Sequence, residues 1–182
     1  MEETPMSTYP DLQPTLLGQR VALRPLVASD WDALYAVAAD PLIWEQHPAS
    51  DRYQEPVFRA FFADALASGG AFIVYDRATG AAIGSSRYFG WNADRAEIEI
   101  GWSFLARSHW GGQYNGEMKQ LMLDHAFTFA TSVVFLIGPD NIRSRCAVER
   151  IGARQIADRT NSQGRVSVVY QITADRHRSG TL

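Results

Sequence analysis

The chain has 182 residues, of which 46% are hydrophobic and 20% charged, with a formal net charge of −3. That size and balance suit one soluble globular domain with its own core, and the mild acidity excludes a global basic field for nucleic acid or an anionic membrane. A lone cysteine, Cys146, excludes an internal disulfide and fits a reducing cytoplasm; the four scattered histidines offer no metal-ligand spacing, and no apolar run approaches the ~20 residues of a membrane span.

The opening MEETPMSTYPDLQP (1–14) is acidic and proline-bearing and lacks the basic and then apolar regions of a signal peptide. It reads as a flexible arm ahead of a domain over 15–173, with a tail at 174–182. QRVALRPL (19–26) alternates and predicts a strand. In VASDWDALYAVAAD, Ser29 or Asp30 can cap a helix whose Trp31, Leu34, Tyr35 and Ala38 fall at helical spacing, and Pro41 ends it. WEQHPASDRY (44–53) is rich in turn formers. EPVFRAFFADALAS predicts a second helix, with Pro56 in its first turn and Gly69-Gly70 closing it. Strands follow at 71–76 and 81–90 around a DRATG hairpin loop, and NADRA turns the chain into EIEIGWSFL (97–105), the third strand of a meander.

SHWGGQYNGEMK (108–119) then places three glycines, Gly111, Gly112 and Gly116, at the mouth of a helix. Glycine weakens a helix and suits a sharp turn or a close approach to the backbone. The first turn of a helix also offers unpaired N–H groups, which favour a phosphate. A nucleotide P-loop fails, because Glu117 stands where that motif needs lysine and Met118 where it needs Ser or Thr. A dinucleotide fingerprint fails as well, since the glycines lack the G-x-G-x-x-G spacing. A plain strand-to-helix turn is the simple alternative.

Beyond the loop, Met118, Leu121, Met122, His125, Ala126 and Phe129 mark one helical face, widened by Leu123 and Phe127. SVVFLIGP (132–139) is a continuous apolar run, as in a strand covered on both faces. DNIRSRCAVERIGA predicts a short helix ending at Gly152, and RQIADRT with RVSVVYQIT a terminal hairpin around NSQG. The order β-α-α-β-β-β-α-β-α-β-β is that of an α/β mixed sheet with helices packed on it.

This order and three segments resemble the Gcn5-related N-acetyltransferases, in the branch of the ribosomal-protein N-terminal acetyltransferases. Glu99-Ile100-Gly101-Trp102 matches E-I-G-Y/W, and Trp110-Gly111-Gly112-Gln113-Tyr114 matches W-G-x-G-Y except that Gln113 takes the second glycine's place. Asn141, Ser144, Glu149, Gly152 and Ala153 match N-x-x-S-x-x-x-x-E-x-x-G-A/F, and the likeness spans about residues 18 to 172. Val148 stands where many relatives carry a tyrosine general acid.

The resemblance implies a single α+β domain. Its mostly antiparallel sheet has about seven strands, splayed between the fourth and fifth and flanked by about four helices. It implies transfer of an acetyl group from acetyl-CoA to a primary amine by direct attack in a ternary complex, without a metal. The acceptor is a protein N-terminus or a small amine; neither nucleic acid nor membrane is a partner, and the protein is a monomer or homodimer. A non-catalytic acyl-CoA-binding or sensor domain is the alternative. The pyrophosphate is expected on the amides from Gly111 through Gly112, Gln113, Tyr114 and Asn115 to Gly116, beside Trp110, with Arg107 adding charge. The pantetheine arm is expected along a bulge at Gly101 and Trp102, with an N–H there stabilising the oxyanion. Asn141 contacts the arm, caps a helix, or does both. Glu99, first, and Glu97, second, are candidate bases on one strand face, and Ser144 is the candidate proton donor to the thiolate. Trp44, His47 and Tyr88 are expected around the acceptor, with Arg87 and neighbouring aromatics. Ordinary surface or packing roles stay open for each of these side chains.

Overall fold

Residues 9–180 are described by the structure, a computed structural model. Strands form where β-branched and aromatic residues concentrate: β1 (Leu16–Leu17), β2 (Val21–Pro25), β3 (Ala71–Asp76), β4 (Ala82–Asn92), β5 (Glu97–Leu105), β6 (Ser132–Ile137), β7 (Arg154–Thr160) and β8 (Val166–Thr173). The helices are α1 (Trp31–Ala38), α2 (Glu55–Ala67), α3 (Gln113–Ala126), α4 (Ile142–Arg150) and α5 (Ala174–Arg178). The strands make one sheet in the order β1-β2-β3-β4-β5-β6-β8-β7. All neighbours are antiparallel except β5 and β6. The expected mixed, mostly antiparallel sheet is therefore present. It has an eighth strand because Leu16 and Leu17 pair with Leu23 and Ala22 at its edge.

Period-2 alternation sorts the side chains into two layers. Val21, Leu23, Phe72, Val74, Ile98 and Ile100 pack against Met118, Met122, Leu123 and Ala126 of α3. Ile73 and Phe104, on the other face, pack against Leu34 and Ala38 of α1 and Phe58, Phe61 and Phe62 of α2. The two clusters cover the middle strands on both faces and so fix the backbone that carries the site.

The splay appears where it was expected. β5 pairs with β6 only through Glu97↔Ser132, Ile98↔Val133 and Glu99↔Val134, whereas β6 stays paired with β8 as far as Ile137. Its local cause is a bulge in β5. Arg87 faces Gly101 and Ser85 faces Phe104, so Ser86 opposes two residues, Trp102 and Ser103. Trp102 sits at φ 52, a left-handed conformation that bends and twists a strand. The bulge thus centres one residue after Gly101, the expected site.

Both ends are more closely tied than a loose arm and tail. Leu12 is buried in the core, and Gln13 donates its side-chain N–H to the Ala71 carbonyl at 2.8 Å. After β8, α5 docks through Arg176 Nε on the Gly152 carbonyl (2.6 Å) and His177 on Asp124 (2.7 Å). Residues 1–8 and 181–182 of the expected arm and tail lie outside the described residues.

Candidate active site

The glycine loop is built to leave amides free. Gly111 and Gly112 sit at φ 102 and 122, conformations that a side chain strains. Gly112 is the N-cap of α3, and no side chain caps that helix. Among the described residues no acceptor takes the amides of Gly111, Gly112, Gln113, Tyr114 or Asn115, and the first bond into the helix runs from Gly116 N to Gly112 O at 2.9 Å. A Cβ at Gly111, Gly112 or Gly116 would meet nothing within 4 Å. A row of unpaired N–H groups therefore borders open space at the positive end of a helix, which is an anion cradle.

A cavity leads from this loop along the end of β5 and α4 to Trp44 and His47. Gly111, Gly112, Asn115 and Gly116 line one end, Ser103, Phe104 and Leu105 the wall, and Asn141 and Ser144 the opposite side. Asn141 both lines it and caps α4, its Oδ1 accepting from Ser144 N at 3.2 Å. Trp110 also lines it, donating Nε1–H to the Leu105 carbonyl at 2.9 Å. Gln113 and Tyr114 do not line the cavity with their side chains; they bring amides, and the Tyr114 ring packs edge-on to His109 at 4.7 Å.

Arg107 corrects an expectation. Its Nε donates to Asp40 Oδ2 at 2.5 Å, and it borders a separate hollow beside α1. The cationic lining comes instead from Arg143 and Arg150 of α4. Arg143 lies 4.0 Å over the Trp110 ring and donates to the Ile43 carbonyl at 2.8 Å. Sequence reasoning missed both, because neither arginine neighbours the glycine loop along the chain.

The two strand carboxylates have different surroundings. Glu97 is engaged: it accepts from Ser132 Oγ (3.1 Å) and Gln171 Nε2 (3.0 Å) and pairs with Arg95. Glu99 has no hydrogen-bond donor among the described residues; burial pushes its carboxyl up to about 7, against the pull of Arg159 and Arg87. Its Oε1 lies 3.2 Å from where a Cβ on Gly101 would stand, so that glycine leaves it room.

Trp44 and His47 share the cavity and pack edge to face at 5.7 Å. His47 Nδ1 accepts from Ala49 N at 2.9 Å, and burial with the nearby Arg52 charge pushes the imidazole down to about 4. The ring is therefore neutral at pH 7, and its Nε2 lies 3.4 Å from Arg52 Nη1. Tyr88 does not join them. It is fully buried on the α3 side, where its hydroxyl donates to the Met122 carbonyl, because even-numbered positions of β4 around it face that layer. Sequence reasoning draws no function from Lys119, the chain's only lysine. Its Nζ donates to Ser103 Oγ, which contacts Ser86 Oγ at 2.7 Å, and complete burial pushes the amine down to about 7.

Among the described residues no group of three or more His, Cys, Asp or Glu side chains is placed to hold a metal, and no helix is long and apolar enough to cross a membrane. A family model described as an acetyltransferase (GNAT) domain matches residues 20–154. No curated protein sequence matches the chain. Among solved structures, an acetyltransferase from Agrobacterium tumefaciens str. C58 is 26% identical, with 94% of this chain and 98% of that one covered and a TM-score of 0.69. Mycobacterium smegmatis RimJ in complex with CoA-disulfide is 19% identical over 92% of this chain and 91% of that one, with a TM-score of 0.73. A GCN5-related N-acetyltransferase from Brucella melitensis is 20% identical over 90% and 80%, with a TM-score of 0.76. The last two likenesses are of fold.

Proposed function

The chain belongs to the acetyltransferase (GNAT) domain family, and from that premise we propose that it acetylates a primary amine by direct attack in a ternary complex with acetyl-CoA. The observation that carries this reading is the run of unpaired amides from Gly111 to Asn115, set beside a cavity that reaches the splay between β5 and β6. Those amides and the α3 dipole bind a diphosphate, and Arg143 and Arg150 add charge. The edge of β5 left without β6 beyond Glu99 pairs with an amide-bearing arm as a further strand would. Acetyl-CoA supplies the activated thioester carbon.

The residues supply the proton handling. An attacking amine must be neutral, yet its reference pKa is about 8 for an α-amine and about 10.4 for lysine. Glu99, held near 7, is a far better acceptor of that proton than a carboxylate at its ordinary value of 4.5. Ser144 lines the cavity and is the candidate that returns a proton to the leaving sulfur. The peptide at the Trp102 bulge, freed from regular pairing, stabilises the oxyanion. The sequence resemblance to the ribosomal-protein N-terminal acetyltransferases points to a protein N-terminal amine, with small amines as the other acceptor class, and Cys146, the lone cysteine, fits a cytoplasmic setting.

Val148 is buried in the core where many relatives place a tyrosine acid, which favours an acyl-CoA sensor as the second reading. Thiol release from acetyl-CoA against peptides, amino acids, polyamines and aminoglycosides separates the two. We expect turnover with at least one class, and Glu99→Gln to lower it by about 10²–10⁴-fold with acetyl-CoA affinity retained. A wild-type protein that binds acetyl-CoA and releases no thiol with any amine is a sensor.

A further inference from the structure

One buried guanidinium takes no part in the chemistry above. Arg87, on β4, is 1% exposed. Its Nη1 donates to Asp64 Oδ2 at 2.7 Å, and the Asp64 side chain is 68% exposed. Its Nε and Nη2 are buried with no hydrogen-bond partner, the only such side-chain atoms among the described residues. Leaving buried donors unpaired is expensive, and native proteins do it rarely and usually for a reason. These two atoms share one edge of the planar group. That edge matches the two oxygens of a carboxylate through parallel hydrogen bonds.

Two aromatic rings flank the group. The Trp102 ring lies 4.5 Å from the guanidinium carbon and the Phe61 ring 5.7 Å. Trp102 is the half-buried part of this wall and rests on exposed Phe89 with centroids 5.2 Å apart, so a ligand reaching the edge from that side has to displace the Trp102 ring.

Charge points the same way. Arg52 lies over Phe61 (4.6 Å) and Trp44 (5.2 Å) and has no ion-pair partner among the described residues. Burial and the Arg87 charge together push Arg52 down to about 10. Asp51 and the exposed Asp64 act on Arg52, and Glu99 feels Arg87, yet among the described residues Arg87 has only Asp64 as an ion-pair partner, on its Nη1 side.

The location ties this edge to the reacting amine. Arg87 is directly opposite Gly101 across the β4–β5 pair. Glu99, two residues before Gly101, has its Oε1 over that glycine. Arg87 and Glu99 therefore lie on one sheet face as diagonal neighbours, a separation of ~7–8 Å. A small molecule that bears both an amine and a carboxylate spans such a gap.

We propose that Arg87 binds a carboxylate of the acceptor, so that the amine presented to Glu99 belongs to a free amino acid or to a peptide with an acidic first residue. This rests on the acetyltransferase reading and narrows its acceptor.

The test compares matched amines on the wild-type protein: an α-amino acid with its amide, and amidated peptides that begin with Asp or with Asn. Thiol release gives kcat/KM, and thermal melting with each compound gives binding without turnover. The acid member is expected to exceed its neutral partner by about 10–100-fold in at least one pair, and which pair does so identifies the source of the carboxylate. Arg87→Lys keeps the charge but loses the fork, and is expected to shrink that ratio to about threefold or less. Equal acetylation of acid and neutral amines overturns the inference and leaves the acetyltransferase reading intact. If no amine is acetylated, a melting shift produced by the acid alone upholds the anion site while the proposed function fails. No difference in melting then overturns the inference as well.

Discussion

Glu99 and Lys119 are both moved toward neutrality by burial, one upward and one downward, each to about 7. The signs differ in consequence. Folded Glu99 holds its proton more tightly than in the unfolded chain, so between about 4.5 and 7 the native state binds more protons and stability falls as pH rises. Folded Lys119 holds its proton less tightly, so between about 7 and 10.5 the unfolded state binds more and stability rises with pH. Melting curves across pH are expected to lose the first slope in Glu99→Gln and the second in Lys119→Met. Lys119→Met is also expected to stabilise the protein at pH 7 by about 1–3 kcal/mol, since a buried amine is replaced by an apolar chain of similar length and Ser103 keeps Ser86 as a partner. In the pH–rate profile, kcat/KM is expected to climb through about 7 as Glu99 becomes the free base, and that limb should vanish in Glu99→Gln. The Glu99 position was legible from the resemblance of its strand to the family's, since the strand pattern alone also fits an exposed polar face. Lys119 was not, because a lone lysine on a helix is ordinarily solvated and the groups that bury this one, Ser103 and the Phe135 ring, are distant along the chain.

The glycine loop and α3 form the element that binds the diphosphate in the proposed reading, and two alanine substitutions pull its roles apart. Gly112→Ala places a side chain at φ 122, a strain of about 1–3 kcal/mol, although the Cβ itself meets open space. It is expected to melt earlier and to weaken acetyl-CoA binding, read by calorimetry. Gly116 has no positive φ and lies inside α3, so Gly116→Ala gains up to about 1 kcal/mol of helix propensity. Because Gly116 also lines the cavity, that variant is expected to melt later yet bind acetyl-CoA more weakly. The loop's chemistry was visible in its residues, three glycines with no capping side chain. Its cationic partners were not: Arg107 is near in sequence but is held by Asp40, while Arg143 reaches Trp110 from α4.

At the scale of the molecule, the open seam between β5 and β6 is what a ligand would complete. Hydrogen exchange by mass spectrometry is expected to show segment 111–115 and the seam-facing amides of segment 100–104 exchanging faster than the rest of the sheet in the unliganded protein and slowing together when acetyl-CoA is added. Segments in β3, buried on both faces, should not change. A ligand that binds only the folded state also adds about 2.7 kcal/mol of stability at 100 times its Kd, so the melting temperature should climb with acetyl-CoA concentration. Failure of both segments to respond together would separate the loop from the seam.

The sequence by itself determined the element order, the two-layer sorting of apolar residues, the glycine loop and the paired strand carboxylates. All of these follow from local periodicity and backbone freedom, which neighbouring residues carry among themselves. Only the tertiary structure decided that Glu97 is engaged while Glu99 is left without a donor, that Tyr88 faces α3, and that two atoms of Arg87 are orphaned beneath Trp102. Those outcomes depend on the bulge at Trp102 and on which strands lie side by side. Burial and hydrogen-bond partnership come from residues distant along the chain, and no short stretch of sequence contains both partners.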